Sequence, residues 1–177
     1  VNVDEAVQAG IEADFRVLVN ENWSMYMGAT YVKVEFTDGT LPCTDPSQPP
    51  VGPNNRYNTC DADGETASPQ PEWTAVFQTE YQWPQAIANS DAYVSALVNY
   101  RGEVEVPGDV PGRLASDDFT TVDAFTGLRN ENWTAQIFVK NVLDEAGIYS
   151  KRPVGGNYNE LTVTAPRTIG VTASYNF

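Results

Sequence analysis

The last eleven residues, Arg167 to Phe177, alternate strictly: Ile169, Val171, Ala173, Tyr175 and Phe177 are apolar, while Thr168, Gly170, Thr172, Ser174 and Asn176 are small or polar. A period of two places the two sets on opposite faces of one extended strand. The strand carries no charge after Arg167 and no proline after Pro166, and it finishes on an aromatic. Two architectures use such a strand. It is either an inner strand of a β-sandwich, or the closing strand of an outer-membrane barrel whose apolar set faces lipid.

The alternation recurs upstream. Ile11, Ala13, Phe15, Val17 and Val19 form one apolar set, and Trp23, Met25, Met27, Ala29 and Tyr31 the next. Trp73, Ala75, Phe77, Thr79, Tyr81 and Trp83 make a third, and Ala92, Val94, Ala96, Val98 and Tyr100 a fourth. The fifth segment, around Val122 to Leu128, is the least regular, because Phe125 falls on the polar face. Trp133, Ala135, Ile137 and Val139 make the sixth, so the terminal strand is the seventh. No segment reads as an amphipathic helix.

The connections discriminate further. A tight Asn20-Glu-Asn-Trp23 turn is followed by a loop of some 35 residues, a short Pro84–Ser90 link and a loop near Val106–Asp117. A second tight Asn130-Glu-Asn-Trp133 turn and a loop near Glu145–Asn159 complete the series. Short and long alternate throughout, as the periplasmic turns and extracellular loops of outer-membrane barrels do. A Greek-key sandwich has no reason to put its long crossings at every second connection.

Aromatic placement points the same way. On the apolar faces Trp23, Trp83, Trp133 and Phe177 lie beside the short turns, and Tyr31, Trp73 and Tyr100 lie towards the long loops. Trp and Tyr suit a membrane boundary because the ring is apolar at one end and polar at the other, so two such levels read as membrane girdles. The stretch from Trp73 to Trp83 covers about 33 Å along a strand. Tilted near 40°, it spans roughly 25 Å, the height of a barrel's apolar band.

Composition excludes several classes. A net charge of −14 repels nucleic acid and anionic headgroups. With no histidine and only two cysteines, no common zinc constellation can be assembled, and no cofactor is expected. Neither a Ser-His or Cys-His pair nor a phosphate-cradling glycine loop is present, so no catalytic residue is expected. Glu12 and Asp14 alternate with apolar residues and read as part of a polar lumen wall rather than as an acid/base pair. The N-terminus has neither a basic region nor an apolar stretch that would make a signal peptide. No run reaches 18 apolar residues, which excludes a membrane helix and leaves barrel strands open.

Parity bears on completeness. With Phe177 on the periplasmic side, seven strands place Val1 to Ala9 outside, whereas a complete barrel has an even strand number and starts at the periplasm. A complete eight-stranded barrel would need Val1–Ala6 as a full strand, and six residues are too few.

A family resemblance rests on Gly10-Ile-Glu-Ala-Asp14 opening a strand, Pro71-Glu-Trp-Thr74 re-entering the membrane after a long loop, Trp133 through Asn141-Val-Leu-Asp-Glu145, and Pro166-Arg-Thr-Ile-Gly170 with Tyr175-Asn-Phe177. The Asn141-Val-Leu-Asp144 segment is similar to that family's Asn-Leu-Phe-Asp element, with Val and Leu in place of Leu and Phe. In their order and spacing these segments resemble the C-terminal third or so of the β-barrel of TonB-dependent outer-membrane receptors. The resemblance implies an all-β fold of about seven antiparallel membrane-spanning strands, an open, curved section of an about 22-stranded barrel. Residues 1–177 are then the C-terminal portion of the barrel, with the plug domain and the earlier strands outside this sequence.

The resemblance implies a non-enzymatic receptor and transporter, a multi-pass β-barrel in the outer membrane of a Gram-negative bacterium. It would take up a scarce nutrient of the ferric siderophore, cobalamin or oligosaccharide type. Its partners would be outer-membrane lipid, the TonB complex acting through the missing N-terminal part, the barrel-assembly machinery and the extracellular substrate. Ile169, Val171, Tyr175 and Phe177 would form the closure and assembly signal. The competing class is a secreted, soluble all-β module, such as a carbohydrate-binding sandwich.

The longest loop is the expected seat of local function. Cys43 and Cys60 lie within it, and in an oxidising compartment they are expected to pair, worth on the order of 3 kcal/mol of loop-closure entropy. The bridge would hold Arg56 and Tyr57 at the mouth, where they are candidate contacts for an anionic or ring-shaped ligand. Asp61-Ala-Asp-Gly-Glu65, with Glu72 beyond it, has the ligand types of a calcium loop, but Pro69 and Pro71 intervene and an acidic turn is the simpler reading. Asn22-Trp-Ser24 and Asn132-Trp-Thr134 match the N-glycosylation pattern, yet both would face the periplasm, so they read as chance matches.

Overall fold

The structure is a computed structural model, and it describes residues 3–43, 58–106, 115–155 and 158–176. Ten strands follow in order: β1 (Val3–Asn20), β2 (Trp23–Cys43), β3 (Asn58–Asp61), β4 (Trp73–Ile87), β5 (Ser90–Arg101), β6 (Phe119–Arg129), β7 (Trp133–Lys140), β8 (Ile148–Gly155), β9 (Tyr158–Val163) and β10 (Thr168–Tyr175). Seven of them form one antiparallel sheet in the order β1-β2-β4-β5-β6-β7-β10, with β3 added to β2. β8 and β9 make a separate hairpin. The sheet is open: β1 and β10 are its two edges.

Register joins the apolar residues of every strand into continuous rows. One row runs Val17, Met25, Thr79, Ala96, Ala124, Val139 and Ile169 across all seven strands. Its neighbour runs Trp23, Tyr81, Val94, Thr126, Ile137 and Val171. A slip of one residue anywhere would exchange the two faces of that strand, so this agreement fixes the pairing. The opposite face carries rows such as Leu18, Ser24, Glu80, Ser95, Phe125, Phe138 and Gly170. Phe125 does lie on that polar face, paired with Phe138, whose ring occupies the space where a Cβ on Gly170 would project.

Among the described residues no second sheet covers the apolar face. Ile11 is 74% and Val171 79% exposed, values incompatible with the inner strands of a sandwich. The described residues bury only Ala62, Tyr93, Val104 and Phe119 among the hydrophobic ones.

Several boundaries differ from those the alternation suggests. β1 begins at Val3 rather than near Ile11, and β2 continues to Cys43, well past Tyr31. At about 3.3 Å per residue, this part of β2 extends on the order of 40 Å beyond the Tyr31 level. Much of the expected 35-residue loop is therefore strand or packed against strand. β3 pairs with Thr40–Cys43, and the backbone of Ala62, Gly64, Glu65 and Ala67 hydrogen-bonds to Gly39, Phe36 and Val34. The Pro84–Ser90 link is also largely strand, with β4 reaching Ile87 and β5 starting at Ser90. Ala88 and Asn89, at φ of 49° and 59°, make the two-residue turn that this hairpin requires. The β8–β9 hairpin occupies the last long connection, where no strand is expected from the sequence.

Candidate functional site

The short-turn end of the sheet is closed by local asparagine chemistry. In the first Asn-Glu-Asn-Trp turn, Asn20 Oδ1 accepts the Asn22 amide at 2.9 Å. In the second, Asn130 Oδ1 accepts the amides of Asn132 at 2.9 Å and Trp133 at 3.0 Å. These are Asx turns, in which a short side chain takes the place of a backbone acceptor.

The Trp and Tyr residues of the apolar face fall at two levels, with Phe15 and Phe77 between them. Tyr31 pairs with Trp73 at a ring-centroid distance of 4.7 Å, and Tyr100 lies on the next strand. At the turn end are Trp23, Trp83 and Trp133, with Tyr81 against Trp83 at 4.7 Å and Trp133 opposite Tyr175. Trp23 Nε1 donates to Thr79 Oγ1 at 2.9 Å, which satisfies its polar end on an otherwise apolar surface.

The polar face carries side-chain clusters that lie beyond the reach of periodicity. Arg129 donates to Glu80 at 2.6 Å and Gln82 at 2.7 Å, with its guanidinium 4.8 Å from the centre of the Tyr93 ring. The Tyr93 hydroxyl in turn accepts from Gln136 Nε2 at 3.0 Å. Four strands, β4 to β7, thus meet through one guanidinium and one phenol. Nearer the β1 edge, Tyr26 donates to Asp14 at 2.7 Å beneath Arg16, and Gly28 leaves room for the pair.

The long-loop end is organised by Asn141. This residue has φ 50° and Asp144 φ 56°, left-handed conformations that asparagine and aspartate tolerate better than other side chains. Asn141 Nδ2 donates to the carbonyls of Glu145 and Ala165 at 2.9 and 2.8 Å, and its Oδ1 accepts the Glu145 amide at 2.9 Å. Its own amide donates to Asp123 at 2.8 Å. Asp144 receives the Arg167 amide at 3.0 Å and the Arg167 guanidinium at 3.2 Å. The Thr164 hydroxyl donates to the Glu145 carbonyl. β6, β7, the base of the β8–β9 hairpin and the start of β10 are therefore tied at one point.

From that base the hairpin reaches across the polar face. Gly147 sits against the Phe119 ring, where a Cβ would not fit. Tyr149 stands edge-on to Phe119 at 5.1 Å, and Arg101 lies 5.6 Å from the Tyr149 ring centre. Arg101 Nη2 also donates to the Tyr149 carbonyl at 3.3 Å.

Other expected site residues are placed as follows. Cys60 is disulfide-bonded, and register sets Cys43 opposite Asn58, two positions from Cys60 along β3. The side chain of Cys43, together with Arg56, Tyr57 and Phe177, lies outside the described residues. Ile169, Val171 and Tyr175 are exposed along the β10 edge strand. Among the described residues no three acidic or thiol groups converge as metal ligands, and Asp61 instead accepts the Asp63 amide at 3.1 Å as an ordinary Asx turn. Past the Tyr31 level, Lys33 donates to Glu35, which raises the lysine pKa above its usual value. Arg129, Tyr93, Arg101 and Tyr149 were not among the expected site residues. For the two arginines the available signal was a lone cation at a polar-face position, while Tyr149 lies in a segment that read as loop.

Comparison with known proteins agrees with this geometry. A search of curated proteins finds no match. Among solved structures, the ferric yersiniabactin uptake receptor FyuA from Yersinia pestis is similar, with TM-score 0.71 and 18% identity over 97% of this chain. At that identity the likeness is one of fold, and this chain spans 24% of that receptor's length. The family model for the TonB dependent receptor-like β-barrel matches residues 1–142, and the chain belongs to that family.

Proposed function

We propose that the chain is the C-terminal portion of the barrel of an outer-membrane receptor that imports a scarce, bulky nutrient with energy delivered through TonB. The observation that carries this reading is the continuous apolar face, uncovered across seven strands and bounded by aromatic residues at two levels. Such a face is stable only against a low-dielectric surround, and lipid supplies one. In that setting Trp23, Trp83 and Trp133 form the periplasmic girdle and Tyr31, Trp73 and Tyr100 the outer one. The polar face then looks into the lumen, and each of the seven strands crosses the membrane. Ile169, Val171, Tyr175 and Phe177 close the barrel against its first strand and present the assembly signal. Cys43 and Cys60 brace the outer projection, with Arg56 and Tyr57 near the mouth.

A ferric siderophore is the favoured cargo class, because the similar solved structure is that of a ferric siderophore uptake receptor. Cobalamin and oligosaccharides remain in the test panel. The test uses the full-length receptor in its own bacterium. Fractionation should place the protein in the outer membrane, and its deletion should abolish growth on one iron chelate, cobalamin or glycan in the same way as deletion of TonB. Recovery in the soluble fraction, or uptake that persists without TonB, would sink the reading.

A further inference from the structure

We infer that Arg101 is an oxyanion-recognition residue at the receptor mouth, covered by the β8–β9 hairpin, and that a carboxylate-bearing cargo displaces the hairpin in order to reach it. The inference rests on the receptor reading, which makes the polar face a lumen and the loop end its mouth. Arg101 closes β5 on that face, opposite Thr74 and Phe119. The whole chain carries 24 acidic residues against 10 cations, so a carboxylate partner for any arginine would be easy to supply. Lys33, Arg129 and Arg167 each have one, whereas Arg101, like Arg16 and Lys140, pairs with no described carboxylate; Arg101 differs from those two in having a buried, unsatisfied guanidinium N–H. What meets Arg101 is the hairpin: the Tyr149 carbonyl at 3.3 Å and the Tyr149 ring at 5.6 Å. Its Nε is covered and makes no hydrogen bond.

That arrangement leaves the guanidinium half used. A carboxylate engages Nε and Nη together as a planar fork, and the pair is stronger than a long bond to a neutral carbonyl. The covered state also leaves a buried N–H unsatisfied, which disfavours it. A cargo with a carboxylate or comparable oxyanion therefore has the differential affinity needed to shift the hairpin, whereas a purely cationic cargo lacks it. The motion has a defined pivot. Asn141 fastens the hairpin base to Glu145 and Ala165, so release of Tyr149 from Arg101 and Phe119 swings the hairpin without detaching it.

The test measures the distance between spin labels introduced through unnatural residues at Asp117 and Leu161, both exposed, in the full-length receptor in lipid nanodiscs. Citrate is the oxyanion probe and spermidine the cationic control. Citrate should convert the population to a longer distance with saturation, while spermidine should not. Arg101→Lys keeps the charge but loses the fork, and should raise the half-saturating citrate concentration by roughly tenfold or more. Tyr149→Ala should give the longer distance without citrate. A distance that citrate never changes, or an Arg101→Lys variant that responds at the wild-type concentration, overturns the inference. A receptor that reaches the outer membrane and imports through TonB with a static hairpin fails this inference alone; a protein outside the outer membrane fails both.

Discussion

The two ends of the sheet are both held by asparagine, and they are held differently. At the short-turn end Asn20 and Asn130 bond to amides two or three residues away, within their own turns. At the long-loop end Asn141 reaches Ala165, 24 residues on, and closes a circuit that includes β6 and the hairpin base. A local cap stabilises one turn, and the chain around it already favours that turn. A long-range tie sets the position of segments that nothing else brings together, so its loss should spread further.

The sharpest test of that contrast is Asn141→Ala. Asn141 is 5% exposed, so water is poorly placed to replace its three side-chain hydrogen bonds. The stranded carbonyls and amide, with alanine in a left-handed conformation, should cost about 3–5 kcal/mol. Urea unfolding of the full-length receptor in lipid, followed by tryptophan fluorescence, would measure it. Proteolysis should also reach the β8–β9 hairpin first. A loss below about 1.5 kcal/mol would place Asn141 on a par with the turn asparagines.

Between the two ends, stability should depend on solvent rather than on any tie. Ala96 sits mid-strand on the apolar face and Ser95 beside it on the polar face. In the membrane setting proposed above, Ala96→Arg would put a charge near the bilayer midplane and should cost about 2–4 kcal/mol. Ser95→Arg enters the lumen next to Glu80 and should change stability by less than about 1 kcal/mol. Equal effects at the two positions would mean that both faces meet the same medium.

The same division explains what could be read in the sequence. Wherever lipid is expected on one side, the period of two is enforced, and all seven sheet strands were visible, including the exception at Phe125. Beyond the aromatic levels the chain is under no such constraint. The extensions of β1 and β2 and the β8–β9 hairpin, interrupted by Pro153, read as loop although their backbones pair. The Asn141-Val-Leu-Asp144 segment was legible as a family element but not as a structural tie, because its partners at Asp123 and Ala165 are remote in sequence. The Arg129 and Arg101 clusters were invisible for a similar reason: each joins strands whose pairing must be known first.

The smallest effect separates the twin turns. Asn130 accepts two amides and its Nδ2 lies 3.4 Å from the Oγ of Ser90, a residue only 1% exposed, so this turn leans on the neighbouring hairpin. Asn20 accepts one amide, in a turn at the edge of the sheet. Alanine at either site removes turn hydrogen bonds worth about 0.5–1.5 kcal/mol, and the loss at Asn130 should exceed that at Asn20 by roughly half a kcal/mol. The double variant Asn130→Ala with Ser90→Ala separates the two contributions at Asn130. If the hydroxyl contact matters, the double loss falls short of the sum of the single losses. Strict additivity, with Asn20 and Asn130 equal, would mean that identical turn sequences act alike whatever packs beside them, and that only ties as long as that of Asn141 depend on tertiary context.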